Sequence, residues 1–520
     1  MDHQLFNYGN RFIRGLFYFF FGLTTYFAIT SVNLILGDNA KTGSGTTIVT
    51  AIVLIVAITV LIVGFAYPQV SHVFKWLFVR HQAVTAVTLL LLTVAWQVVF
   101  VLCMHPAIGF DVDAIHEALI DPKDVNTMSY FSQNSNNLPI LLVQHWLVMG
   151  FHTTSWLFFD WVTLILTDLS AVFNILSVAV IDRRKVPAAM YIHAGWLALF
   201  PMIIVPYTDA WVLPFVSAYI FCYCVLSYTQ WHWTLKVLAA VGLGLNVAAA
   251  YFMKPSAIVA LIAIILVELL QVIRREYWQG LTQRKGAIVV ACLLVSGMAG
   301  GGAYVAGNHV LDTQSYIKIN TARAIPAVHF MSMGISGDGG YNAKDALKMA
   351  QLPTKKSRAD WSKKMYLKRL KQRGFWGYLA FLVKKQRNNS ADGSFAWIKE
   401  GHFILHGTKP KGTGFARSIR EFVYLYGTRL GDFRYLAQAW WIVWLVIIFF
   451  GWSDQHKFTQ VLRLTVIGAF MFLLLFEGGR SRYLIQYLPA FLILGTLSFR
   501  RSLTALRRLF GWVKHPVQPS

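Results

Sequence analysis

Residues 82–103 read QAVTAVTLLLLTVAWQVVFVLC, with no charged residue. As a helix this stretch is about 33 Å long at 1.5 Å per residue, enough to cross about 30 Å of hydrocarbon. The chain then turns polar. His105 to Asn136 carries Asp111, Asp113, Glu117, Asp121 and Asp124. Working outward, the same pattern recurs at 12–36, 46–68, 188–205, 209–227, 236–252, 256–273, 287–305, 435–452, 458–477 and 483–499. Such repetition predicts an all-α polytopic membrane protein. Composition agrees: 56% of the 520 residues are hydrophobic and 13% charged, with mean hydropathy +0.52. A soluble protein has no need of so apolar a chain.

The stretch 137–180 does not fit one crossing, since a single helix there would be about 66 Å long. Three short passes, or one pass and a re-entrant or interfacial helix, satisfy it, with breaks at Gly150 and His152 and another at Asp168. The whole chain is expected to cross 12 to 14 times. The first apolar run lacks a small-residue cleavage pattern and reads as a retained helix. The formal charge is +24, but much of it lies in short connections. Arg11 and Arg14, Lys75 and Arg80, Arg183 to Lys185, Arg274 to Lys285, and Arg500 to Arg508 share one side when the helices alternate, which places them in the cytoplasm. Residues 306–434, polar and basic, then fall outside. Cys103, Cys222, Cys224 and Cys292 lie in or beside apolar runs and read as buried thiols, with neither a disulfide framework nor a zinc site.

The expected organisation is 1–80 as accessory transmembrane helices and 81–305 as a core carrying the acidic first loop. An extracytoplasmic loop domain follows at 306–434, C-terminal helices at 435–499 and a basic cytoplasmic tail at 500–520. Polar residues collect on the outer side. Asp111 and Asp113 follow the third span, where a carboxylate within about 3 Å of a hydroxyl can serve as general base; a solvated acidic loop is the bland reading. Asn136 and Asn137 stand before Pro139, where amides cap a helix or bond a sugar or phosphate. Tyr207 and Asp209 form one short turn and Lys254 another, and an aspartate at membrane depth calls for a partner. Glu477, Arg480, Arg482 and Tyr483 crowd the last outer turn, and guanidinium forks suit phosphate oxygens. His329 to Gly334 precedes a Gly-rich turn, 337–342, which is not a P-loop because no Gly-Lys-Ser/Thr follows. Residues 360–373 read as a basic amphipathic helix suited to anionic headgroups. Trp397, Glu400 and His402 are candidates for a groove or for the loop's own core.

Taken in order, Phe110-Asp111, Asn136-Asn137, Tyr207-x-Asp209, Lys254-Pro255, His329 to Gly334 and Glu477 to Tyr483 resemble the polytopic GT-C glycosyltransferases. The likeness is to the protein O-mannosyltransferase-like (family-39-like) membrane proteins of Gram-positive bacteria. It covers roughly 80–500 and implies a GT-C-like helical bundle with a large extracytoplasmic loop domain. It also implies transfer of a sugar from a polyprenyl-phosphate carrier to a wall polymer, glycolipid or protein on the outer face of a bacterial cell membrane. The resemblance points to Asp111 as catalytic, with Asp113 as the fallback. The family often pairs its first acid with a second directly beside it, whereas a valine separates the two here. Nucleotide sugars are not available outside a bacterial cell, so an external transferase needs a lipid-borne donor. A divalent metal is compatible with the site but not required, because arginines neutralise a leaving phosphate. Membrane lipids are expected partners and nucleic acid is not. The alternatives are a transporter or flippase, or a polymerase, of lipid-linked saccharides; ionisable residues within the spans, Asp160, Asp168 and Glu268, are few.

Overall fold

The computed structural model describes residues 2–230, 232–274, 282–395, 404–405 and 409–509. Trp397, Glu400 and His402, and the chain beyond residue 509, lie outside the described residues. The first helices are α1 Asp2–Ile29, α2 Ile48–Ala66, α3 Pro68–Lys75 and α4 Gln82–Cys103, and the acidic loop then forms α5 Asp111–Ile120 and α6 Val125–Gln133. Next come α7 Leu138–Phe151, α8 Trp156–Ile181, α9 Val186–Ala198, the single turn α10 Thr208–Trp211, α11 Leu213–Tyr228, α12 Trp233–Met253, α13 Val259–Val272 and α14 Gln283–Thr313. The long loop holds α15 Ala327–Met333, α16 Ala343–Gln351, α17 Lys355–Ser390 and α18 Gly414–Arg420. The last three are α19 Leu430–Phe449, α20 Lys457–Leu475 and α21 Leu488–Leu509. Nine helices among the described residues are long and apolar enough to cross a membrane alone, and the pair α2–α3, bent by 100°, makes a tenth.

Side-chain contacts sort the helix ends into two groups. At one end, Asp454 pairs with Arg501, Lys185 donates to the Leu497 carbonyl, Tyr228 packs on His456, and Arg274 lies over Phe6. At the other end, Asn33 donates to Asp392, Arg420 to the Cys103 carbonyl, and Tyr316 to the Ala118 carbonyl. Asp432 there accepts from Thr47 and Thr50, fixing the start of α2 against α19. The chain thus alternates between ends through α1, α2, α4, α8, α9, α11, α12, α13, α14, α19, α20 and α21. These twelve include α2, α9 and α21, which do not reach crossing length and apolarity alone; nine helices do among the described residues, or ten with the bent pair, fewer than the expected 12 to 14. The short α9 and the apolar part of α21 are extended by the 3₁₀ turns Pro201–Ile204 and Ser481–Tyr487. The helix expected to stop at 305 continues to Thr313.

The difficult stretch resolves into one crossing, α8, and one helix that does not cross. α7 has 14 residues, about 21 Å, too short for a bilayer. Both its ends lie at the site end, where Asn137 bonds Tyr130 and Thr154 accepts from His116 at 2.8 Å. The chain turns at His152, a left-handed residue with φ 54°. Asp168 does not break the chain; it sits within the unbroken α8. α8 carries Asp160, Thr163, Thr167, Ser170, Asn174 and Ser177 on one buried stripe, and Ser170 bonds Ser217 of α11 at 2.7 Å. Small polar residues let such helices approach closely.

Candidate functional site

The third span stops at Cys103, as expected, and Asp111 beyond it opens the separate helix α5. A carboxylate in a first helical turn is favoured by the exposed N–H groups there. Phe110 before it has φ 60° and ψ −135°, a strained conformation for a residue with a Cβ. Tyr130 donates to Asp111 Oδ1 at 2.7 Å, and Tyr207 to Oδ2 at 3.1 Å. Asn137 ties the two phenols together: its amide nitrogen donates to Tyr130 at 2.6 Å, and its oxygen, 3.3 Å from the Tyr207 hydroxyl, competes with Asp111 for that phenol's single hydrogen. Asn136 donates to Asn137 at 3.2 Å. Burial and the Asp111 charge push both tyrosines well above their ordinary pKa, so they stay protonated donors. Asp113 lies two residues on, about 200° around the helix, and the bonds from Tyr130 and Tyr207 go to Asp111.

A second group adjoins the first through Tyr207. Asp209, 1% exposed, accepts a hydrogen bond from Lys254 and has Arg482 Nε at 3.6 Å. Tyr483 donates to Glu477 at 2.9 Å and lies under both Lys254 and Arg482, at 5.4 and 5.1 Å from its ring centre. Burial first, and the Asp111 charge among the rest, holds Glu477 above the usual carboxylate range. Asp209 and Glu477 thus stand with Lys254 and Arg482 in one polar group beside Tyr207.

The Gly-rich turn belongs to the same assembly. Gly478 N–H donates to Gly339 O at 2.9 Å, and Arg480 stands against Gly340. Gly479, at φ 76°, donates to Asn389 at 2.5 Å. Its positive φ is what lets the turn fold onto residues 338–340. The device beneath is Lys385, fully buried on α17, which donates to the carbonyls of Gly334, Leu474 and Phe476 at 2.7, 3.0 and 2.6 Å. Burial pushes its pKa down to about 7, opposed by Glu477 and Asp338. Sequence reading missed Lys385 and Asn389, because a lysine in a basic run gives no sign of which one turns inward. Tyr130 was visible only as part of its polar stretch.

His329 stands apart from this network. It is buried, as is Asp345, with half-buried Arg369 close by, and its Nδ1 has no hydrogen-bond partner among the described residues. Arg369 binds Asp345 through two bonds of 2.7 Å. Among the described residues no group of three His, Cys, Asp or Glu gathers to hold a metal.

The fold and site define a polytopic all-α membrane protein with a buried polar site at one end of its bundle. The chain matches, over residues 5–503, the family described as conserved hypothetical integral membrane protein, and it belongs to that family. No curated protein and no solved structure matches it.

Proposed function

We propose that this chain is a glycosyltransferase, taking a sugar from a polyprenyl-phosphate carrier to a cell-envelope acceptor on the outer face of the membrane. The observation that carries the reading is the meeting, through Tyr207, of Asp111 with the Asp209, Lys254 and Arg482 group. A base and a set of cations in one place are what displacement of a phosphate from an anomeric carbon needs. The acceptor hydroxyl gives its proton to Asp111 as its oxygen bonds the anomeric carbon. The bond from that carbon to the phosphate oxygen breaks with inversion, and the electron pair leaves on the phosphate. Each Asp111 oxygen holds one phenol hydrogen bond and keeps a lone pair for the acceptor. Arg482, Arg480 and Lys254 face the growing phosphate charge, while Asp209 fixes Lys254 and Arg482 in place. Glu477 orients Tyr483.

The test is reconstitution with a panel of polyprenyl-phosphate sugars and crude envelope acceptors. Asp111→Asn is expected to lower turnover by roughly 10²–10⁴ with donor binding retained. Arg482→Ala is expected to weaken donor binding too, because phosphate is present in ground and transition states alike. An inactive Asp113→Asn beside a fully active Asp111→Asn moves the base two residues along. A ladder of products identifies a polymerase.

A second reading, movement of lipid-linked saccharide between leaflets, draws on Asp160 in α8. It is fully buried, and neither carboxylate oxygen has a hydrogen-bond partner among the described residues. An ionisable group within a span is costly unless it has a task. Leaflet exchange by the purified protein without sugar transfer establishes this reading in place of the first.

A further inference from the structure

The long loop holds a face that the site does not use. α17 breaks at Gly374, where φ is 63° and ψ 179°, and Arg373 stacks on Phe381 across the break at 3.8 Å. The first arm turns Arg358, Arg369 and Arg373 inward onto carbonyls and Asp345. Its other face exposes Lys363, Lys364, Lys368 and Lys371, which fall at helical spacing. The second arm buries Phe381, Lys385, Gln386 and Ser390, yet leaves Phe375 69%, Trp376 78%, Leu379 39% and Val383 43% exposed. Trp376, Leu379 and Val383 form one stripe at i, i+3 and i+7. From Trp361 to Arg387 the chain has nine basic residues and no acidic one.

The far end of the second arm is bedded in the spanning bundle. Gln386 donates to Thr24 of α1 at 3.1 Å, and Trp441 of α19 donates to the Ser390 carbonyl at 3.0 Å. Thr24 and Trp441 lie inside candidate membrane spans. An arm that begins among spans and carries an uncovered tryptophan and aliphatic stripe continues the surface that lipid already covers. Water would leave that stripe unsatisfied, at a cost proportional to its area. Tryptophan prefers the headgroup level, and lysines beside an apolar stripe bind anionic headgroups.

We propose that α17 is a membrane-surface anchor: its second arm lies in the leaflet at the site end, and its lysine-bearing first arm binds anionic lipid headgroups. The anchor also holds the site, because the buried face of the same arm carries Lys385 and Asn389. Nothing here depends on the reaction proposed above.

The test uses the full chain with Cys103→Ser and Trp376→Cys, carrying a nitroxide at 376. The protein is placed in nanodiscs of neutral phosphatidylcholine, or of the same lipid with phosphatidylglycerol. Relaxation by oxygen is compared with relaxation by a water-soluble nickel chelate. The expected result is oxygen-dominated relaxation in the anionic discs, shifting several-fold toward the chelate when Lys363, Lys364, Lys368 and Lys371 are all changed to Gln. Chelate-dominated relaxation in both lipids would overturn the proposal. So would equal insertion in both, unchanged by the lysine replacements, which removes the headgroup role. Protection by soluble polyphosphate in detergent, without insertion in discs, would assign the face to a polyanion instead. Trp376 is mostly exposed, so the substitution leaves packing intact, and a melt equal to the parent's confirms folding.

Discussion

Tyr130 and Tyr207 grip one carboxylate from two sides, so the Asp111 side chain has little freedom to turn. Hydrogen bonds to a charged group are worth about 1.5–3 kcal/mol, which sets the size of the expected effects. Tyr130→Phe is predicted to reduce turnover roughly ten- to a hundredfold with donor KM little changed. Tyr207→Phe should raise donor KM as well, since that residue also adjoins the Asp209 group. Steady-state kinetics on both variants checks this, and equal effects on KM would separate Tyr207 from the phosphate side. His329 gives a prediction of another kind. Burial lowers its pKa, with Asp345 pulling up and Arg369 pulling down. The folded chain therefore binds fewer protons at this ring than the unfolded chain does. Stability from this group is complete above the unfolded value near 6.5 and falls as pH drops through the folded value. His329→Gln is expected to flatten the loss of melting temperature between pH 7 and pH 5. An unchanged slope would assign the acid sensitivity to other groups.

At the scale of elements, close approach decides which glycines matter. A Cβ on Gly244 of α12 would collide with backbone atoms of Ser296 and Gly300 on α14, whereas one on Gly297 meets nothing within 4 Å. Gly244→Ala is predicted to cost about 1–3 kcal/mol through forced separation of the pair, and Gly297→Ala almost nothing. Thermal melts in one detergent compare the two, and equal melting would show that α12 and α14 do not pack this way. The membrane elements were legible because apolar length is a strong signal, and the break at His152 could be located. Asp168 misled, because a charge inside an apolar run looks like a helix end until neighbouring helices cover it. The amphipathic reading of 360–373 identified a helix and a basic face but not Arg369 and Arg373, which turn inward, nor Arg358 just before it. Which side of a helix meets protein depends on partners that one segment's sequence does not contain.

For the whole molecule, the sorting of helix ends unites residues far apart in the chain. Asp111, Asn137, Tyr207, Asp209, Lys254, Glu477 and Arg482 were each legible as polar residues at the end of an apolar run. Their assembly into one site depends on alternation through every intervening pass. Lys385 was not legible, since it reaches the site from a loop whose fold the apolar pattern does not specify. Alternation is the claim with the widest consequences, and it can be tested without knowing the substrate. Val125 is 72% and Leu347 62% exposed at the site end, and Arg184 has an 81% exposed side chain at the opposite end. In a Cys103→Ser background the remaining cysteines are buried. Single cysteines at 125 and 347 are expected to react with an impermeant maleimide in intact cells, and one at 184 only after permeabilisation. Reaction at 184 alone would keep the fold and reverse its orientation, removing the external site. Reaction at 125 without 347 would put the acidic loop and the long loop on opposite faces, and the site with its alternating helices would then be wrong.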